Sequence, residues 1–151
     1  MITTGTPLSI ATRKTEIVDV ANGLSCSDLA RFPVEITVAV GANLGGIPVV
    51  CGGWGSSIEY SAKCFRLTNS VWENFASMKE KRGYAAGVMH NDKLHVFGGY
   101  SGSTVQFGLQ TSETINVDGK VSNGPDLPTG VWRHAMIKIN DTVSLLSGGE
   151  T

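Results

Sequence analysis

The feature that most constrains this 151-residue chain is a glycine pair that returns at a nearly fixed interval, each time closing a short apolar hairpin. Residues 84–100 show it most clearly. Tyr84 to His90 is an apolar run, Asn91-Asp92 is a turn dipeptide that tolerates left-handed backbone, Leu94, Val96 and Phe97 form a second run, and Gly98-Gly99 stops it. Residues 135–149 repeat this element for element through Asn140-Asp141 to Gly148-Gly149, and residues 36–53 are a third copy with a longer turn, ending in Gly52-Gly53. Residues 1–6 read as the tail of a fourth, with Gly5-Thr6 in place of the pair. The first glycines fall at 5, 52, 98 and 148, in steps of 47 (52 − 5), 46 (98 − 52) and 50 (148 − 98). A period of this length means repeated supersecondary units, none of which buries its apolar face alone.

Between the glycine pairs the pattern continues as two further strands. In the second unit the first strands are expected at 36–40 and 47–51, the third at Tyr60–Leu67, a turn at Thr68-Asn69-Ser70, and the fourth at Val71–Ala76. In the third unit Thr111–Val117 is followed by an Asp118-Gly119 turn and a strand opening at Val121. The first unit keeps its outer half: Lys14–Val20 alternates as a strand, Asn22-Gly23 is a hairpin turn, and Leu24-Ser25-Cys26 begins the next strand. KTEIVDVANGLSCSDL and SETINVDGKVSNGPDL match closely, which is a second sign of repetition. The last unit has two strands, 134–139 and 142–147. No amphipathic helix or linker is visible.

Gly52-Gly53 is followed by Phe65, Thr68-Asn69, Trp72, Met78 and Arg82, and this order of residues resembles a kelch repeat. The resemblance implies an all-β fold, a kelch-type β-propeller present in part: two full blades (35–78 and 84–127) between two partial ones (1–30 and 133–151) of a six-bladed ring. It also implies that Trp72 packs against the next blade. Rings of this kind close with four to eight blades, and an open row leaves sheet edges uncovered. The rest of the ring is expected from missing chain or from a second copy. Because 142–149 would duplicate the role of 1–5, a piece of a longer chain is the preferred reading. Met1-Ile2-Thr3 has no basic n-region and no apolar h-region, so it is not a signal peptide.

Composition bounds the partners. Net charge is −1, which suggests neither nucleic acid nor a membrane surface, and the apolar runs are strand-sized, too short for a transmembrane helix. Hydrophobic content of 41% suffices for a core, and 19 glycines suit many tight turns.

Cys51 precedes a glycine pair and Cys64 lies on the following strand. In a hairpin centred near residue 57 they face each other, so either a cross-strand disulfide or two small buried hydrophobes fits; Cys26 is left over. Cysteines so placed resemble those of secreted invertebrate kelch proteins. Asn140-Asp141-Thr142 is a glycosylation sequon as well as a turn. Together these point outside the cell, with the cytoplasm as the alternative.

No catalytic residue, metal site or cofactor is expected. His90 adjoins a turn and is expected to be exposed, His95 to face away from Leu94 and Val96, and His134 to begin an inner strand. None has a nucleophile or carboxylate at a telling spacing. Gly98–Gly102 has phosphate-loop composition but no following helix. The remaining candidates are loop residues that the resemblance places on one face: Trp54, Tyr100, Phe107, Arg31, Lys79, Arg82, Trp132 and Arg133. Exposed aromatics and arginines anchor interfaces, although Trp54 and Trp132 equally suit covering their own blades. Three functions follow: an extracellular protein-interaction or structural propeller, a BTB-kelch type substrate adaptor inside the cell, or a galactose-oxidase-like copper enzyme.

Overall fold

The computed structural model of the chain describes residues 11–26, 29–55, 59–102 and 107–151, with backbone only for 24–26. The expectations for residues 1–10, the middle of the 54–59 loop (56–58), residues 103–106 of the 100–108 loop and the Cys26 side chain fall outside the described residues.

Among the described residues all regular elements are β-strands, paired antiparallel. β1 (Ile17–Asp19) and β2 (Leu24–Cys26) form a hairpin. Its turn is held by the Asp19 carboxylate, which accepts from the Ala21 and Asn22 amides, and by Gly23 at φ +64°. One four-stranded sheet runs β4-β5-β7-β8: Val40–Leu44, Ile47–Cys51, Lys63–Thr68 and Val71–Ser77. Two short strands, β3 (Ile36–Thr37) and β6 (Trp54–Gly55), pair with each other beside it. The second sheet runs β9-β10-β11-β12: Ala86–His90, Lys93–Phe97, Ser112–Asn116 and Val121–Asn123. The chain closes with a hairpin of β13 (Trp132–Lys138) and β14 (Ser144–Glu150).

Several strand limits differ from those expected. The first strand of the second unit is 40–44 and not 36–40, because Gly45 and Gly46 both hold positive φ (+61° and +85°) and turn the hairpin in two residues. Val38, at φ +53°, breaks the extended backbone and leaves 36–37 to pair separately. The third strand begins at Lys63 because Tyr60 is bridged to Trp54 instead. In the last hairpin the ladder runs through the glycine pair, with His134 opposite Gly148 and Trp132 opposite Glu150.

The repetition read in the sequence is present in the backbone. The glycine pairs hold φ +70°/+98°, +59°/+97° and +71°/+98°. Val38, Tyr84 and Arg133, at φ +53°, +54° and +57°, are left-handed at the same place in three units. The pairs Thr37↔Trp54, Gly83↔Tyr100 and Trp132↔Glu150 also correspond. Backbone bonds link one unit to the next: the Tyr84 amide donates to the Val38 carbonyl (3.0 Å) and the Arg133 amide to the Tyr84 carbonyl (2.9 Å). The amides of Gly53 and Gly99 donate in the same way to Arg82 and Val131, each at 2.8 Å. The first strands of the three units, β4, β9 and β13, lie in a row, each against the next.

The core fills the space between the two four-stranded sheets. Leu94, Val96, Ile115, Val49, Cys51 and Cys64 are at most 1% exposed, each apolar side chain of this size contributing about 1.5–3 kcal/mol on burial. Cys51 and Cys64 are opposite each other in the β5–β7 ladder and are joined by a disulfide. Gly87 permits the close approach of the sheets: a Cβ there would lie 2.3 Å from Val40 Cγ1.

Arg82 stands in the same interface. Its side chain is enclosed, and its guanidinium donates to the Gly98 carbonyl (2.7 Å), the Thr111 carbonyl (3.0 Å) and Glu113 (2.9 Å), with Glu80 at 3.1 Å. Glu113 in turn accepts from the amides of Lys79 (2.6 Å) and Glu80 (3.0 Å). Trp72 meets the segment before its own sheet. Its indole N–H donates to Thr15 Oγ1 (3.1 Å), and Phe32 wedges edge-on between it and Phe65, at 4.9 and 5.0 Å. His90 is partly buried and not exposed, its Nε2 being 2.6 Å from Ser144 Oγ.

Candidate functional site

The left-handed residues start the site. At these positions the chain leaves one unit and enters the first strand of the next, so each side chain projects at an equivalent place beside the glycine pair. Val38 is small and apolar, whereas Tyr84 and Arg133 are large and can reach each other. Trp132 is paired in the ladder opposite Glu150, and Tyr100 follows Gly99 in the bridge to Gly83.

Four rings and one guanidinium result. Tyr60 meets Tyr100 edge-on at 5.5 Å, Tyr100 meets Trp132 at 5.4 Å, and Trp132 meets Tyr84 edge-on at 5.5 Å. The Arg133 guanidinium lies over Trp132 (4.3 Å) and Tyr84 (4.8 Å). Contacts of this kind contribute roughly 0.5–1.5 kcal/mol each beyond burial for ring pairs and about 0.5–1 kcal/mol for exposed cation–π pairs. Arg133 Nη1 also donates to Glu150 (2.8 Å), both side chains being about half exposed. The patch is therefore ordered before any ligand arrives, with its rings half-buried and Arg133 exposed.

Its electrostatics follow from this packing. Burial pushes the Tyr60 hydroxyl above its ordinary pKa; Tyr84 and Tyr100 act in the same direction and Arg133 against it. Tyr60 thus stays a neutral O–H donor at physiological pH. The hydrogen bond to Glu150, then that to Tyr84, pushes Arg133 further up, so its positive charge is permanent. Aromatic faces, a fixed cation and hydroxyl groups can stack on and hydrogen-bond to a partner. Among the described residues no group of three or more His, Cys, Asp or Glu is placed to hold a metal ion.

Of the eight loop candidates, the structure brings three together: Tyr100, Trp132 and Arg133. Trp54 is half-buried and adjoins the cluster through its backbone bridge to Tyr60. Arg31 is exposed, next to the buried Phe32. Phe107 is 66% exposed. Lys79 is exposed with its Nζ on Asn123 Oδ1, at the seam between the two sheets. Arg82 is a correction: it is 1% exposed and cannot meet a partner, because Glu113 draws it inside. Tyr84, Tyr60 and Glu150 belong to the patch and were not among the candidates. Tyr84 had a signal, since it and Arg133 stand at corresponding places ahead of Gly98 and Gly148. Tyr60 had none.

Asn140 is exposed at the β13–β14 turn, where its Oδ1 accepts from the amides of Thr142 and Val143, both at 2.9 Å. The chain matches no protein-family model and none of the curated proteins compared with it.

Proposed function

We propose that the chain is part of a kelch-type β-propeller that acts by binding another protein, outside the cell, through the face that carries Tyr60, Tyr84, Tyr100, Trp132 and Arg133. The observation that carries this is the repeated geometry of that face. Three units turn at equivalent left-handed residues and glycine pairs, and they deliver aromatic and cationic side chains to one rigid place. Preordered aromatic and arginine groups are the usual anchors of protein interfaces, and rigidity lowers the entropic cost of binding.

The compartment is argued from the Cys51–Cys64 disulfide, since such bonds persist in oxidising surroundings. The accessible Asn140 sequon supports the same reading. No helix among the described residues is long and apolar enough to cross a membrane. The scaffold reading is preferred to catalysis because the patch combines rings and a permanently charged guanidinium without a nucleophile beside a base.

The test is partner capture from extracellular fluid by the immobilised chain, run beside Trp132→Ala and Arg133→Ala. Retention is expected to fall at least tenfold for each variant, the loss of about 1.4 kcal/mol or more expected of an interface anchor. Identical retention by all three proteins would overturn the assignment of the face.

A further inference from the structure

The aromatic patch already holds a cation of its own. The Arg133 guanidinium lies over one face of Trp132 (4.3 Å) and one face of Tyr84 (4.8 Å). The Arg133 amide is tied to the Tyr84 carbonyl, so main chain and side chain fix the group together. The far end of the patch is fixed as firmly. Tyr60 is gripped between two glycines: a Cβ on Gly83 would lie 2.8 Å from one edge of its ring, and a Cβ on Gly102 2.9 Å from the other. Ring contacts through Tyr100 and Trp132 make the row continuous from Tyr60 to Arg133.

This arrangement selects the chemistry that can bind. A lysine or arginine of a partner seeks an aromatic face. The faces that Arg133 covers are closed to it, and the guanidinium repels a second positive charge. Stacking by a sugar ring is closed on the same faces. What the patch still offers is hydrogen-bond donors. Glu150 takes one bond, from Arg133 Nη1, and Tyr84 takes another, whereas a guanidinium carries more N–H groups than these two partners use. The Tyr60 hydroxyl feels the hydroxyls of Tyr84 and Tyr100 and the charge of Arg133, so these polar groups share one locality. A fixed positive charge with hydroxyl donors around it suits an acceptor that is negatively charged.

We propose that the patch recognises a carboxylate of its partner: an Asp or Glu side chain in an acidic segment, which accepts from the N–H groups of Arg133 that Glu150 and Tyr84 leave, with tyrosine hydroxyls as further donors. This rests on the protein-binding reading of the face and narrows it to one chemistry. A planar carboxylate with two oxygens matches the guanidinium fork. A sulfated polysaccharide is the poorer fit, because such a chain is held by cations in series, whereas Arg133 has Glu150 beside it and the whole chain has a net charge of −1. Glu150 then acts as an internal stand-in for the ligand. It bonds Arg133 through a single oxygen and both side chains are about half exposed. An exposed pair of this kind holds weakly, so a partner's carboxylate displaces it.

The test offers the immobilised full chain libraries of short peptides, randomised except for a central Glu, Gln or Lys. Glu-centred peptides are expected to be retained about tenfold more than either of the others. Arg133→Lys keeps the charge and loses the fork, and is expected to remove most of that preference. Glu150→Gln removes the internal competitor and is expected to raise retention of Glu-centred peptides severalfold, a gain that a misfolded protein does not give. A preference for Lys-centred peptides, weaker retention by Glu150→Gln, or binding to heparin that is lost in Arg133→Lys would each overturn the proposal. Equal retention of all libraries, falling in Trp132→Ala, would overturn carboxylate recognition and leave the protein-binding face standing. Retention of no library would overturn the proposal as well, and the capture of a partner from extracellular fluid then shows separately whether the face itself stands.

Discussion

Arg82 shows how far one residue can depart from what its type suggests. A charged side chain beside a loop reads as a surface group, and only Glu113, 31 positions later, draws it into the core. The pair joins the exit of one sheet to the third strand of the next, and Glu113 also fixes the Lys79 and Glu80 amides. Removing one member strands a buried charge. Arg82→Ala is therefore expected to lower unfolding stability by roughly 3–5 kcal/mol, read as an earlier urea midpoint. Arg82→Lys should recover little, since an ammonium lacks the fork that reaches two carbonyls and a carboxylate together. A loss below about 1 kcal/mol for Arg82→Ala would mean that the network is incidental. Tyr60 was equally hidden from the sequence, for its neighbours are Tyr100 and the elements around Trp132, which only the fold assembles.

At the scale of elements, legibility tracked local chemistry. The Asn22-Gly23 and Asp118-Gly119 turns and the glycine pairs were readable because they depend on backbone angles that few residues adopt. The 40–44 strand was misplaced because Gly45-Gly46 lay inside what looked like a long turn, and nothing local marked Val38 as left-handed. β13 carries the junction between the last two units. His134 on this strand is 8% exposed, and neither ring nitrogen has a hydrogen-bond partner among the described residues. Burial lowers its pKa below the usual 6.5. The unfolded chain thus takes up the proton first, so stability is complete above about pH 6.5 and falls as pH drops below it, by at most about 1.4 kcal/mol per pH unit for one histidine. Urea unfolding between pH 7.5 and 5 should show this slope. His95, also lowered chiefly by burial, adds to it. His134→Gln should flatten the slope in part, and an unchanged slope would show that His134 does not contribute.

For the whole molecule, the account depends on how successive sheets are related. The backbone joins them through Val38, Tyr84 and Arg133, and their first strands lie in a row. The sequence made this repetition legible through glycine spacing, but not the relation between sheets, which is set by packing at Gly87 and by the Arg82 network. Placing the binding face on this frame requires the sheets to fan about an axis. A diffraction structure of the native protein tests that relation most directly. The account predicts four-stranded sheets arranged radially, with Val38, Tyr84 and Arg133 along the inner rim and the aromatic patch on the face beside it. Two sheets stacked face to face in a closed sandwich would contradict it.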